Sequence, residues 1–412
     1  MSNALKHRNF RWLFGGQLTS NIGNSLFVLA LFWYIQSSTH SPAKVAWLGF
    51  AMTIPSLAGF LTGAIVDIVD RRRLLWLTDS IRFLLVVGVT LMVAMHLVNL
   101  WFIAAVVCLV SIGGNLFWPA SNAILPSLVP EEDLVSANGW LQGSGQFAQS
   151  FGALLGSIII ATVGVVVVFG FDALTFLVSV STLLVLRIPP SSRTSVNLQS
   201  YRIGNWFKDT LEGLVTLWQW PMIRWILPGV ALMNLAYAPF FVMTAAWSQE
   251  ILHHGSFGYS MLVLAESLGN LTGGLSAASV QRRFPGILPW VFSMILTLAV
   301  AAFPWFPHLW SDFSALLVFG VGTGMINTLF LALLQQRIPE QQLGRVFASI
   351  GTIFGAALPL GTALAGLAVG SFGLITLFWT AALAIVAAAA YLGSTITWHP
   401  DVRSEASLSV NR

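Results

Sequence analysis

Apolar residues run along this chain in long unbroken stretches, and polar residues gather in the short segments between them. Twelve apolar runs can be marked, at about 10–36, 47–69, 74–96, 101–125, 137–163, 165–187, 222–250, 258–280, 287–306, 312–335, 343–369 and 373–397. Each is close to or above the roughly 20 residues that a helix needs to cross a bilayer. Stretches such as VVGVTLMVAM and ALAIVAAAAYL lack the period-two alternation of a membrane-spanning strand. The pattern therefore predicts an all-α polytopic membrane protein with twelve transmembrane helices. The first run is flanked by Lys6, Arg8 and Arg11 and is too long for a cleaved signal, so it reads as a span.

The longest polar stretch separates the first six runs from the last six. This divides the chain into an N-terminal six-helix half (1–187), a linker (188–221) and a C-terminal six-helix half with a short tail (222–412). With both termini in the cytoplasm, 17 of the 19 basic residues fall on the cytoplasmic side, leaving Lys44 outside and Arg82 within the third run. That asymmetry is what the positive-inside rule requires, and a miscounted span would destroy it. The linker then lies in the cytoplasm and reads as a tether.

Composition sharpens the class. Only 8% of the 412 residues are charged, against about 25% in a soluble domain. A water-facing surface cannot be built from so few charges, which excludes a soluble enzyme, a disordered chain and a nucleic-acid-binding domain. The net charge is +4, and the pI of about 9.6 reflects scarce acids rather than a basic patch. Cys108 is the one cysteine, so neither an internal disulfide nor a cysteine metal site can form.

The halves echo each other. The loop after the fourth run reads LVPEEDLVSANGW and the loop after the tenth reads RIPEQQLGRVFAS, with Pro130 and Pro339 separated by 209 residues. The same offset carries Asp70 to position 279, beside Gln281, Arg282 and Arg283. Duplicated halves of this kind mark transporters whose substrate site lies at the repeat interface.

With these residues in view, the chain resembles the major facilitator superfamily. GAIVDIVDRRRLL between the second and third runs is similar to the family's loop signature, with Gly63, Asp67, Asp70, Arg71, Arg72 and Arg73 matching and Ile68 standing where an arginine is usual. NFRWLFGGQLTSNIGNSLF, FWPASNAILPSLVPEEDLVSANG and FDALTFLVS resemble the drug-exporter branch that includes macrolide-efflux proteins. Two departures stand out: Asn24 occupies a position where the branch often has an acid, and SFGALLGS keeps the glycines but not the proline of proton-coupled antiporters. The resemblance implies the major facilitator fold and a gating role for the loop, in which Asp67 latches a neighbouring helix end and then releases it. The residues alone also allow a plain topology-setting charge there.

Ionisable side chains within the spans are costly and need a reason. Asp79 and Arg82 stand at i and i+3 of the third run, as a structural ion pair or a coupling site. Glu266, in MLVLAESLGNLTGG, has no basic residue within one helical turn. It is the first candidate to exchange protons or meet a cationic substrate, and the other reading is a protonated acid bonded to a neighbouring helix. Asp172 is expected near the outer end of the sixth run, within reach of water, and Glu250 at the end of the seventh, both structural; His253 and His254 are expected in solvent.

Neutral polar stripes complete the set. Gln17, Asn21 and Asn24 share one face of the first run, and Asn138, Gln142, Gln146 and Gln149 one face of the fifth. Asn115, Asn234, Tyr237 and Asn327 add amides and a phenol on further spans. They face protein or a watery path, because lipid cannot satisfy them. Aromatics including Phe27, Trp33, Trp118, Trp140, Phe147, Phe240, Phe241 and Trp247 can stack on an apolar ligand. The expected substrate set is Asn21, Asn24, Phe27, Asn115, Trp118, Gln142, Gln146, Asn234, Tyr237, Glu266 and Asn327; the expected proton-coupling set is Glu266, Asp79 and Arg82. GALLGS, GNLTGG and GVGTGM place small residues where helices approach closely.

The expected activity is secondary active export of amphipathic small molecules or drugs by alternating access, with proton antiport as the coupling. The partners are a small-molecule substrate, the lipid bilayer and protons, with the chain a monomer in the plasma membrane. No phosphate-binding loop of the form GxxxxGK[ST] occurs, so ATP is not expected; neither are nucleic acid, a cofactor, a metal or enzymatic activity. Export of a natural metabolite such as a siderophore or lysophospholipid, and a non-transporting membrane receptor, remain the alternatives.

Overall fold

The structure is a computed structural model that describes residues 4–58, 69–97, 99–130, 133–186, 221–284, 291, 295–337 and 340–398. Every regular secondary-structure element among these residues is helical. The principal helices are α1 (Arg8–Thr39), α2 (Pro42–Thr53), α3 (Arg71–Ala94), α4 (Leu100–Ile124), α5 (Leu134–Thr162), α6 (Val165–Val185), α7 (Pro221–Ala246), α8 (Gly255–Arg283), α9 (Leu309–Arg337) and α10 (Glu340–Trp398). A π-helical turn, Trp247–Ile251, continues α7. Seven helical stretches among the described residues are long and apolar enough to cross a membrane. The linker at 188–220 lies outside the described residues, as do parts of the expected spans at 47–69 and 287–306.

Helix ends follow local chemistry. Asp70 caps α3 by accepting a 2.9 Å bond from the Arg73 amide, and Asn99 caps α4 by accepting a 3.1 Å bond from Phe102 N–H. The long α10 is broken at Gly373, where φ is 78°. An L side chain rarely adopts that conformation, and glycine does so without penalty. The break falls beside the gap expected between residues 369 and 373.

Contacts divide the chain into two compact units. One comprises Met1–His40 with Leu48–Tyr201, the other Ser41–Trp47 with Arg202–Arg412. In the first, α1 packs on α5 and α6, and α3 on α4 and α6. Glycines set the spacing: a Cβ on Gly152 of α5 would lie 2.5 Å from Ser25 Cβ of α1, and one on Gly156 2.5 Å from Leu29 Cδ2. One core of this unit gathers Phe10, Leu13, Leu74, Leu75, Phe117, Ile124, Leu141 and Leu183.

In the second unit α8 packs on α9 and α7 on α10. The α8–α9 seam is backbone against backbone. A Cβ on Gly269 would stand 2.9 Å from Gly320 Cα, and one on Gly324 2.9 Å from Asn270 Cα. Pro239 lies inside α7. It has no N–H to offer the Leu235 carbonyl, and that carbonyl faces Gly361 of α10, whose Cβ would come within 2.5 Å of it.

Candidate functional site

Each unit holds a set of polar side chains between its helices. In the second unit Tyr237 projects from α7 and Glu266 from α8. The Tyr237 hydroxyl donates a hydrogen bond to Glu266 Oε1. The Tyr237 ring lies parallel to that of Phe319 on α9, with centroids 6.1 Å apart, and Phe319 stacks in turn on Phe240. One helical turn beyond Glu266, the Asn270 amide donates to Thr323 Oγ1 at 3.3 Å. Among the described residues no cation pairs with Glu266. A carboxylate held by a phenol, without a fixed positive charge, can gain or lose a proton without breaking an ion pair.

In the first unit Asp79 and Arg82 form the pair expected from their spacing, with Arg82 Nη1 3.4 Å from Asp79 Oδ1. The other Asp79 oxygen accepts a 2.5 Å bond from the Ser179 hydroxyl of α6. The guanidinium lies 4.4 Å over the Phe176 ring. Asp79 is fully buried and Arg82 is 8% exposed. Room for the arginine comes from Gly113 of α4, where a Cβ would stand 2.9 Å from Arg82 Cδ.

Asp172 departs from expectation. It has no exposed surface, because Gly23 of α1 lets that helix close over it, with Asp172 Oδ1 2.5 Å from where a Gly23 Cβ would be. It is a buried acid rather than one reached by water at a span end.

Several of the aromatics are packed in the interior. Phe27 is 2% exposed and packs on Phe169, with centroids 5.3 Å apart. Phe240 and Trp247 belong to a packed cluster with Phe303 and Phe378, with centroid separations of 4.8 to 5.3 Å. Volume in these interiors is filled by rings that have no face left for a ligand. Trp118, by contrast, is exposed.

The remaining predicted residues are dispersed. Asn21, Asn24 and Asn115 are half-buried and Asn327 is exposed. Gln17 turns inward and accepts a 3.2 Å bond from Ser121 of α4, an interhelical tie. Asn234 donates to the Val230 carbonyl of its own helix at 2.9 Å. The side chains of Gln142 and Gln146 lie outside the described residues, as do Gly63 and Asp67. The rest of the loop motif grips helix ends: Arg71 Nη1 donates to the Ala123 carbonyl at 2.8 Å, and Arg72 donates to the Leu183 and Leu184 carbonyls at 3.3 and 2.6 Å. A cavity of about 740 Å³ beside Arg72 is lined by His7, Arg8, Asn9 and Trp12, none of them in the expected substrate set.

One buried acid escaped the sequence reading. Asp312, in the first turn of α9, is fully buried and accepts a 2.8 Å bond from Trp247 Nε1. Its position at the edge of an apolar run gave no sign of burial; the signal was the tryptophan 65 residues earlier, which needs an acceptor once buried.

Comparison with known proteins agrees with this architecture. Macrolide efflux protein A of Streptococcus pyogenes is 24% identical over 371 residues, covering 87% of this chain and 88% of that protein. Multidrug efflux pump Tap of Mycolicibacterium fortuitum is 25% identical over 396 residues, covering 94% of each. Among solved structures, a point mutant of the nucleoside transporter NupG superposes with a TM-score of 0.75 at 12% identity, covering 95% of this chain and all of that one. The family model for the Major Facilitator Superfamily matches residues 13–362. A multi-pass helical chain with buried charges inside its helix bundles and a family match over most of its length belongs to the Major Facilitator Superfamily, and it is a transporter rather than an enzyme.

Proposed function

We propose that this transporter exports amphipathic small molecules across the plasma membrane by alternating access, with proton antiport as its driving force. The observation that carries the reading is Glu266 held by Tyr237 and, among the described residues, by no cation. A carboxyl group in that setting can change protonation as the helices around it rearrange. The relatives named for macrolide and multidrug efflux support the substrate class. The neutral amides at Asn21, Asn24, Asn115, Asn234 and Asn327, with the exposed Trp118, suit large and weakly polar compounds better than sugars or multiply charged anions.

In this reading both termini face the cytoplasm. Asp79 and Arg82 are the second coupling candidates. The Asp70–Arg73 segment, whose arginines hold the ends of α4 and α6, is the latch that a conformational change must open. The test is efflux of a panel of amphipathic dyes from membrane vesicles under an imposed pH gradient. Wild type should move dye with the gradient, and Glu266→Gln should insert normally and lose that flux. Undiminished gradient-driven flux in the variant rules out Glu266 as the coupling group.

A further inference from the structure

In the first unit a second buried carboxylate lies close along α6 to the Asp79–Arg82 pair. Asp79 and Asp172 both have no exposed surface and Arg82 is more than nine-tenths buried; Asp172 stands one helical turn from Phe176, the ring over which the Arg82 guanidinium lies, and two turns from Ser179, which binds Asp79. Around Asp172 the packed helices supply few titratable groups. Those on α3 are Asp79 and Arg82, and at its start Arg71, Arg72 and Arg73, of which Arg71 and Arg72 are bound to the carbonyls at the ends of α4 and α6. On α1 the nearest to Gly23 in sequence are Arg11 and Tyr34, each about three helical turns away, and α5 carries none. With all three side chains ionised the cluster would hold a net negative charge in a dry interior, which is strongly unfavourable.

The hydrogen bonds say which carboxylate is short of partners. Asp79 is satisfied on both oxygens, by Arg82 at 3.4 Å and by the Ser179 hydroxyl at 2.5 Å. Among the described residues Asp172 Oδ2 has no hydrogen-bond partner, and neither does Arg82 Nε. The approach of Thr175 Oγ1 to Asp172 Oδ1, at 3.4 Å, does not repair this. That hydroxyl has a single proton, and it is committed to the Asp172 backbone carbonyl at 2.7 Å.

We infer that the Asp79–Arg82–Asp172 cluster is a proton-binding site, with Asp172 as the carrier, separate from Glu266 and independent of whether Glu266 couples transport. One proton passes from hydronium to a carboxylate oxygen of Asp172: an O–H bond of the hydronium breaks, one O–H bond forms on Asp172, and a water molecule is released. The cluster then carries one positive and one negative charge and is neutral overall. A sodium ion fits less well, since it needs several oxygen ligands and would sit against the guanidinium.

Infrared difference spectroscopy of the purified full-length protein in nanodiscs, across a pH titration, tests this directly. Wild type labelled with 13C at the aspartate side-chain carboxyl should show a protonated-aspartate band that titrates and shifts with the label. The band should persist in Glu266→Gln and Asp312→Asn and vanish in Asp172→Asn. Its absence from labelled wild type, which needs no variant to fold, overturns the proposal. So does its survival in folded Asp172→Asn, or its loss in Asp79→Asn with retention in Asp172→Asn.

Discussion

The hydroxyl of Tyr237 on α7 donates to the carboxylate of Glu266 on α8, a bond across two helices that no spacing rule within either helix describes. It leaves Glu266 oriented but, among the described residues, without a counter-charge. A hydrogen bond to a charged group contributes about 1.5–3 kcal/mol, or roughly ten- to a hundredfold in an equilibrium. Tyr237→Phe keeps the ring that stacks on Phe319 and removes only the donor. Gradient-driven dye efflux should fall by about tenfold or more while the amount of folded protein in the membrane stays at the wild-type level. Vesicle transport and fluorescence size-exclusion profiles, measured on the same preparation, check both halves of the expectation.

The α8–α9 seam depends on hydrogen atoms in place of side chains. Gly269 and Gly320 face each other so closely that either Cβ would fall within about 3 Å of the other helix's backbone. Backbone, unlike the tip of a flexible side chain, cannot step aside. Gly269→Val and Gly320→Val should each destabilise the second unit by about 1–3 kcal/mol or more, the range for overpacking. Gly143→Ala, where nothing lies within 4 Å, is the matched control. Thermal unfolding in detergent should separate the two seam variants from the control.

Local regularities were legible in the sequence; long-range pairings were not. The helices at 8–39, 71–94 and 165–185 begin and end within a few residues of the apolar runs that predicted them. The Asp79–Arg82 contact followed from i,i+3 spacing alone. What completes that pair, Ser179, lies 100 residues away, and nothing local points from one to the other. Asp172 and Asp312 were misjudged or missed for the same reason, because closure by Gly23 and donation by Trp247 come from other helices. A Phe in an apolar run looks the same in sequence whether it lines a site or fills a core. Phe27, Phe240 and Trp247 fill cores.

Arg72 offers a separate test of the loop motif. Its Nε and Nη2 donate to consecutive carbonyls, Leu183 and Leu184, at the C-terminal end of α6, where backbone acceptors lack helical partners. A guanidinium spans both at once and an ammonium does not. Arg72→Lys should therefore behave like Arg72→Ala rather than like wild type in melting temperature, with each lowering stability by about 1 kcal/mol. Equal melting temperatures for wild type and Arg72→Lys would show that charge alone, without the fork, holds the end of α6.

Arg82 permits the sharpest energetic contrast. Removing one member of a buried charged group leaves its partners uncompensated and costs about 3–5 kcal/mol, whereas replacing the whole group by apolar side chains is often neutral or stabilising. Arg82→Leu strands Asp79 without its cation and empties the cradle beside Gly113 and Phe176. It should give little folded protein. Adding Asp79→Leu and Asp172→Leu removes the stranded carboxylates, so the triple variant should recover most of the thermal stability lost in the single one. Transport distinguishes the roles further. A brace needs only the volume, so a refolded triple variant that still exports dye with wild-type dependence on the pH gradient would make the cluster structural. A refolded variant whose export no longer follows the gradient would make the charges themselves part of the transport cycle. Melting curves establish which variants are folded, and the vesicle assay is then read on those alone.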